Sequence, residues 1–292
     1  MQRPAGNAAG HAALIWARDH SVYVALALLV LIALGQNLAI ATRGIDLSVG
    51  SVMALASATV AVCPMPAPAR RSRPCIAAGL VVGIFNGALV SVLRIDPLIS
   101  GLALLVAARG LAQALVGGSR VSLPSADAFD LLGTGALGPL PVVMLIALAL
   151  ALAVLVMLVV QRTTFGRYIV LIGASRAAAY LAGIPVRRTL FLVYAASGAL
   201  AGLAGVFASA RLGASDPNYV GVNFELDAIA ASVIGGTPLS GGRISIVGTV
   251  FGVLLRQVLD ASFIINNVSF TYAQILKAGF IVVALYLLRQ GG

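Results

Sequence analysis

The stretch Phe224-Glu225-Leu226-Asp227-Ala228-Ile229-Ala230-Ala231-Ser232-Val233-Ile234-Gly235-Gly236-Thr237-Pro238-Leu239-Ser240-Gly241-Gly242-Arg243 sets two carboxylates at the mouth of an apolar segment and two glycine pairs at its end. A carboxylate taken out of water is costly unless a partner or a wet route meets it, so the segment reads as part of a membrane protein with a polar path through it. Composition extends that reading to the whole chain. Of 292 residues, 60% are hydrophobic and only 10% charged, and the mean hydropathy is +1.04. A soluble domain carries about a quarter of its residues charged. The net charge of +10 therefore sets membrane topology and does not point to nucleic acid.

Apolar runs near the roughly 20 residues that a bilayer demands fall at 22–41, 47–63, 76–93, 97–116, 142–160, 190–209, 225–239, 246–263 and 272–288. The expected fold is all-α: a polytopic transmembrane helical bundle of about nine spans, the short glycine-bearing ones broken or re-entrant. Residues 1–20 form a polar leader and 21–292 a single transmembrane domain. The link 161–189 holds Arg162, Arg167, Arg176, Arg187 and Arg188 without an acid, which places it in the cytoplasm. Alternation then puts Arg43, Arg94, Arg243 and the C-terminus inside, and the loops 117–141 and 211–223 outside. It also sends Arg70, Arg71 and Arg73 outside, against the same rule. Cys63 and Cys75 flank a Pro/Arg-rich loop over 64–74; free buried thiols and a disulfide both fit them. His11 and His20 lack the companions of a metal site, so neither metal nor cofactor is expected.

Several polar groups stand where the apolar runs need a reason for them. Asp46 and Ser48 open a span and suit helix capping or contact with a passing solute. Asn86, in mid-span, can donate and accept toward hydroxyl-rich substrates or toward a neighbouring helix. Arg109 and Gln113 share a helical face; the arginine pairs with Asp227, Glu225 or Asp96, or meets a ligand. Glu225 and Asp227 lie two apart and so point to different sides of a helix. They organise its start, with Asn223 or Glu225 as cap, and form an interface or gate. Gly235, Gly236, Gly241 and Gly242 permit a break around Thr237-Pro238-Leu239-Ser240, or tight packing. A short amphipathic helix over 175–181 ends at Gly183 and exposes Arg176 and Tyr180 toward another protein.

These words, in this order and spacing, resemble the permease subunits of bacterial ABC sugar importers of the ribose type, galactofuranose permeases included. The matching elements are Gly44-Ile45-Asp46-Leu47-Ser48-Val49-Gly50-Ser51, Phe85-Asn86-Gly87, Arg109-Gly110, Gly166-Arg167-Tyr168, Ala177-Ala178, Ala182-Gly183-Ile184 and Glu225-Leu226-Asp227-Ala228-Ile229-Ala230-Ala231 with both glycine pairs. The likeness runs over about 22–288. It departs in the polar leader, where such permeases begin with a further apolar helix, and in the arginine patch near Arg70.

The resemblance implies a multi-pass protein of the bacterial inner membrane that moves a monosaccharide such as ribose or galactofuranose from periplasm to cytoplasm. Its implied partners are a cytoplasmic ABC ATPase, a periplasmic or extracellular sugar-binding protein, a second permease copy or related permease, and membrane lipid. The loop 161–189 becomes the ATPase-coupling element, with Gly173, Arg176, Ala177, Ala178, Tyr180 and Gly183 at the contact, while Asn86, Arg109, Gln113, Asp46 and Ser48 become candidates for the substrate pathway. The chain itself is not expected to be an enzyme: it has no Gly-x-x-x-x-Gly-Lys-Ser/Thr phosphate loop, so ATP hydrolysis belongs to a partner. The rival reading is a self-sufficient secondary transporter or channel for a small polar solute, with Asp46, Glu225, Asp227 and Lys277 coupling ions. An intramembrane enzyme lacks a nucleophile and base within any span.

Overall fold

The computed structural model of the chain describes residues 7–63, 68–123, 140–269 and 271–279. Among these it is mostly helical: α1 (Asn7–Ala41), α2 (Val49–Val62), α3 (Pro68–Ser91), α4 (Pro97–Leu115), α5 (Leu140–Arg162), α6 (Thr164–Ala174), α7 (Arg176–Leu181), α8 (Val186–Leu212), α9 (Phe224–Ile234) and α10 (Ile246–Ile265). Residues 271–279 are also helical. A two-residue antiparallel ladder pairs β1 (Val121–Ser122) with β2 (Ala214–Ser215).

Six helices, α1, α3, α4, α5, α8 and α10, are long and apolar enough to cross a membrane. The roughly nine spans expected are thus not all recovered as full crossings. At about 1.5 Å per residue, the 14 residues of α2 and the 11 of α9 reach only about 21 and 16 Å, short of a hydrocarbon core of about 30 Å. Only the first part of the 272–288 run lies within the described residues, as does only part of the 117–141 loop.

α1 is apolar on every side and occupies the centre: 89% of its 24–41 window is buried, against 22% for α5 and 28% for α10. It packs against α5, α8, α9 and α10. The closest helix pair is α3 with α8, where Gly79 and Gly83 meet Gly198 and Gly202 backbone to backbone. A Cβ at Gly79 would sit 2.6 Å from the Gly202 Cα, and one at Gly83 would sit 2.9 Å from the Gly198 Cα. With no hydrophobic force between helices in lipid, such close approach is what holds them. The small residues Gly198 and Gly202 are what let α8 come this near to α3.

Two boundaries differ from the sequence reading. The Pro/Arg-rich loop over 64–74 is helical from Pro68 onward, so Arg73 stands on α3 and not in a link. Pro68 takes the first helical position, where a missing N–H costs nothing, and Pro74 follows early in the helix. The stretch read as a leader is helical from Asn7 and continuous with α1. No disulfide joins Cys63 and Cys75, and Cys75 is buried among Val60, Val206 and Ala210.

Candidate functional site

Asp46 lies in the turn between α1 and α2, only 1% exposed. Its Oδ1 accepts hydrogen bonds from the Ser48 N–H (3.1 Å), the Ser48 hydroxyl (2.6 Å) and Asn86 Nδ2 (3.2 Å). Its Oδ2 accepts from the Ser197 hydroxyl at 2.8 Å. Asn86, itself fully buried, accepts from the Ser100 hydroxyl at 2.9 Å. One carboxylate thereby ties the α1–α2 turn to α3 and α8 directly, and to α4 through Asn86, using neutral donors alone. Ser48 stands at the N-cap position of α2 without a side-chain cap bond, and Asp46 accepts from the Ser48 N–H just ahead of the helix, so the expected side-chain capping of the first turn is not what these two residues do. Three of the pathway candidates, Asp46, Ser48 and Asn86, are therefore brought together, but as bonded members of a closed polar hub.

The glycine-bearing segment follows α9. The helix ends at Ile234, and the chain runs irregularly to Ile246, confirming the break. Gly236, Gly241 and Gly242 have φ of +90, +71 and +78, a region side chains disfavour, while Gly235 packs on the Gly248 backbone. Irregular backbone packed inside a helical bundle needs partners, and α1 supplies them. Asn37 Nδ2 donates to the Ser245 carbonyl (3.2 Å) and to the Thr249 hydroxyl. Its Oδ1 accepts from the Thr237 hydroxyl at 3.2 Å. Thr237 Oγ1 in turn accepts from the Ser245 N–H at 3.0 Å.

At the arginine-rich end, Arg43 donates to the carbonyls of Ser240 (2.7 Å) and Ala174 (2.9 Å). The Gly242 N–H bonds the Ala41 carbonyl at 3.0 Å, and Gly173 sits on that same carbonyl with no room for a Cβ. The end of α1, the end of α6 and the irregular segment after α9 thus form one junction. α7 follows directly. Its N-cap Ser175 accepts from the Ala178 N–H at 3.2 Å, and Gly183 closes it at φ +74. Ala179 is buried, whereas Arg176, Ala177 and Ala178 are exposed, and Tyr180 and Leu181 are 77% and 86% exposed. The short helix read from sequence is present with its outward face open.

The remaining pathway candidates lie elsewhere. Arg109 donates to the Pro217 and Val220 carbonyls (2.7 and 2.6 Å), and Gln113 to Asn218 Oδ1 (2.9 Å). Both hold down the loop before α9. Arg109 forms no salt bridge with any of the three acids expected. Asp96 caps α4 through the Leu98 N–H, and Asp227 is taken by Arg256, with contacts of 2.9 Å to Nε and 2.6 Å to Nη2. Glu225 forms no hydrogen bond or salt bridge with Arg109; its carboxylate lies against the backbone of Gly50, and Oε2 has no hydrogen-bond partner. Nor does Glu225 or Asn223 cap α9 by its side chain; Asn223 takes the cap position with φ +64 and offers its carbonyl to the Asp227 N–H.

Arg256 was missed by sequence reasoning, as were Ser100 and Ser197. Arg256 joins Asp227 to Asp260, which also holds Lys277. Its signal was available: an arginine inside the apolar run 246–263 with an acid four residues on is a helical ion pair needing a further anion. The two serines carry no such signal, since hydroxyls among small residues look the same whether bonded or not.

The family described as "Branched-chain amino acid transport system / permease component" matches residues 20–285, and the chain belongs to it. The galactofuranose transporter permease protein of Escherichia coli is 37% identical over 265 residues, covering 89% of this chain and 76% of that one. The ribose import permease protein of Bacillus subtilis is 38% identical over 269 residues, 89% and 81% of the two chains. A fructose import permease protein of Bifidobacterium longum is 35% identical over 267 residues, 88% and 72%. No solved structure matches. The resemblance drawn from scattered motifs thus holds along nearly the whole chain.

Proposed function

We propose that this chain is the transmembrane permease subunit of an ATP-driven importer that carries a monosaccharide, of the ribose or galactofuranose kind, from periplasm to cytoplasm. The family description names branched-chain amino acids, but the relatives quoted carry sugars in their names, and the choice follows them. A neutral substrate also agrees with a bundle in which Asp46, Asp227 and Arg256 are all engaged with protein groups. In the full assembly α2, α9 and the segment over 272–288 join the six long helices to give nine passes, two of them broken.

The observation that carries the mechanism is the junction under α7. An ATPase seated on Tyr180 and Leu181 pushes a six-residue helix whose neighbour α6 is bonded through Ala174 to Arg43 and packed through Gly173 on Ala41. Arg43 and Ala41 in turn grip the irregular crossing at Ser240 and Gly242. Motion at the docking helix is delivered to the central helix and to the glycine-bearing break together, where a hinge costs least. ATP hydrolysis happens in the partner, an external binding protein delivers the sugar, and a second permease completes the pathway. Glu225 and Asp227 organise the outer mouth and the interface there.

Uptake of labelled ribose, galactofuranose, fructose and leucine, measured in cells expressing the permease with its ATPase and binding protein, tests the substrate class. Accumulation of one sugar and not of leucine is expected; leucine uptake alone would overturn the reading.

A further inference from the structure

At the arginine-rich end a cavity of about 730 Å³ opens between α3, α7 and α8. Arg94, Arg176, Arg187 and Arg188 line it, and no carboxylate does. All four are exposed, and none appears in an ion pair among the described residues. The nearest acid in sequence, Asp96, is turned to the Leu98 N–H.

Ser91 supplies an independent sign of a missing partner. It is only 4% exposed, and its Oγ has no hydrogen-bond partner. A hydroxyl on a helix ordinarily falls back on the carbonyl four residues before it, as Thr59, Thr189, Ser209 and Ser262 do here. Ser91 does not, and it lines the arginine cavity.

Ser91, Arg187 and Arg188 also line a second cavity, of about 310 Å³, whose other walls are Val92, Phe191 and Leu192. Leu192 is exposed on the outer face of the long apolar helix α8, and Val92 is exposed in the turn that follows α3. A basic pocket with a buried free hydroxyl thus continues into an apolar groove on the lipid side. A soluble anion has no use for the groove, and an acidic protein surface has no use for a sideways opening toward lipid.

We propose that this double cavity binds an anionic phospholipid, its phosphate held by Arg187, Arg188 and the Ser91 hydroxyl, with Arg94 and Arg176 closing the rim and the first part of one acyl chain lying along Val92, Phe191 and Leu192. Basic pockets between transmembrane helices on the cytoplasmic side suit such headgroups, and arginine's planar fork matches phosphate oxygens. The site goes beyond the transport reading and does not depend on which solute is carried.

The test is native mass spectrometry of the full-length permease titrated with phosphatidylglycerol, phosphatidylcholine or inorganic phosphate. Phosphatidylglycerol is expected to bind in preference to phosphatidylcholine, and inorganic phosphate should not displace it. R187Q/R188Q should weaken phosphatidylglycerol about thirty-fold and S91A about tenfold. L192N, which leaves every charge in place, should weaken the lipid while leaving any binding of inorganic phosphate unchanged. Equal retention of the two lipids, displacement by inorganic phosphate, or an unaltered affinity in both R187Q/R188Q and S91A would overturn the proposal. So would R187Q/R188Q losing capture of the ATPase with lipid binding intact, which would make the cavity a protein-docking surface.

Discussion

Two carboxylate sites in the molecule are held in opposite ways. Around Asp46 one acid is held by two hydroxyls, an amide and a backbone N–H, with no cation among the bonded groups. Around Arg256, two acids and two cations, Asp227, Asp260, Arg256 and Lys277, hold each other, with Asp227 and Asp260 side chains 22% and 24% exposed. Neutral donors fixed on separate elements make a brace whose geometry has one solution. An ion network at a partly wet edge can exchange partners at lower cost, since water screens each charge as it moves. The first arrangement suits a part that must stay rigid while the bundle tilts; the second suits a part at a mouth or an interface.

Breaking the ion network should have the largest effect. Arg256→Met strands Asp227 in a largely buried site, and a loss of about 3 kcal/mol is expected, read as a lower midpoint of thermal unfolding in detergent and a lower yield of assembled complex. Asp227→Asn removes one anion but leaves Asp260 on Arg256, so a smaller loss of about 1–2 kcal/mol should appear, with sugar preference unchanged. A changed preference would mean that the acid touches substrate.

In the neutral brace, Asn86→Leu deprives Asp46 of one donor, although the Ser100 hydroxyl keeps its bond to the Pro97 carbonyl. Stability and uptake should fall together, by about 1–3 kcal/mol in the former. Uptake falling at unchanged stability would return Asn86 to the substrate pathway. Asp46→Asn should be mildest, about 1 kcal/mol or less, because the amide can donate to Ser197, whose hydroxyl is able to reverse. A collapse of the fold in Asp46→Asn would show that the negative charge itself matters and would erase the contrast between the two regions.

How much of this was legible in sequence follows from which forces act locally. The α4 start at Pro97, the break at Gly235 and the short helix α7 with its Ser175 cap and Gly183 stop all lie where proline, glycine and a capping hydroxyl dictate backbone shape over a few residues. The partners of Arg109, Asp46 and Asp227 were not legible, because each is set by contacts between residues distant in the chain: Arg109 with Val220, Asp46 with Ser197, Asp227 with Arg256. Arg109 found loop carbonyls where a carboxylate was expected, since the chain before α9 brings two unpaired acceptors to it first. The onset of α3 was misplaced because arginines and prolines read as a link by composition, although Pro68 is well suited to open a helix.

We place the drive of an external ATPase at α7, and Leu181→Asp tests this at a side chain 86% exposed, where folding has little to lose. The measurement is sugar uptake into proteoliposomes holding the permease, its ATPase and its binding protein, with and without ATP, beside the unfolding midpoint of the variant. Uptake by the unaltered protein only with ATP is predicted, together with a loss of at least about tenfold in Leu181→Asp at an unchanged midpoint. Uptake driven by an ion gradient without ATP, or full ATP-driven uptake by Leu181→Asp, would contradict it.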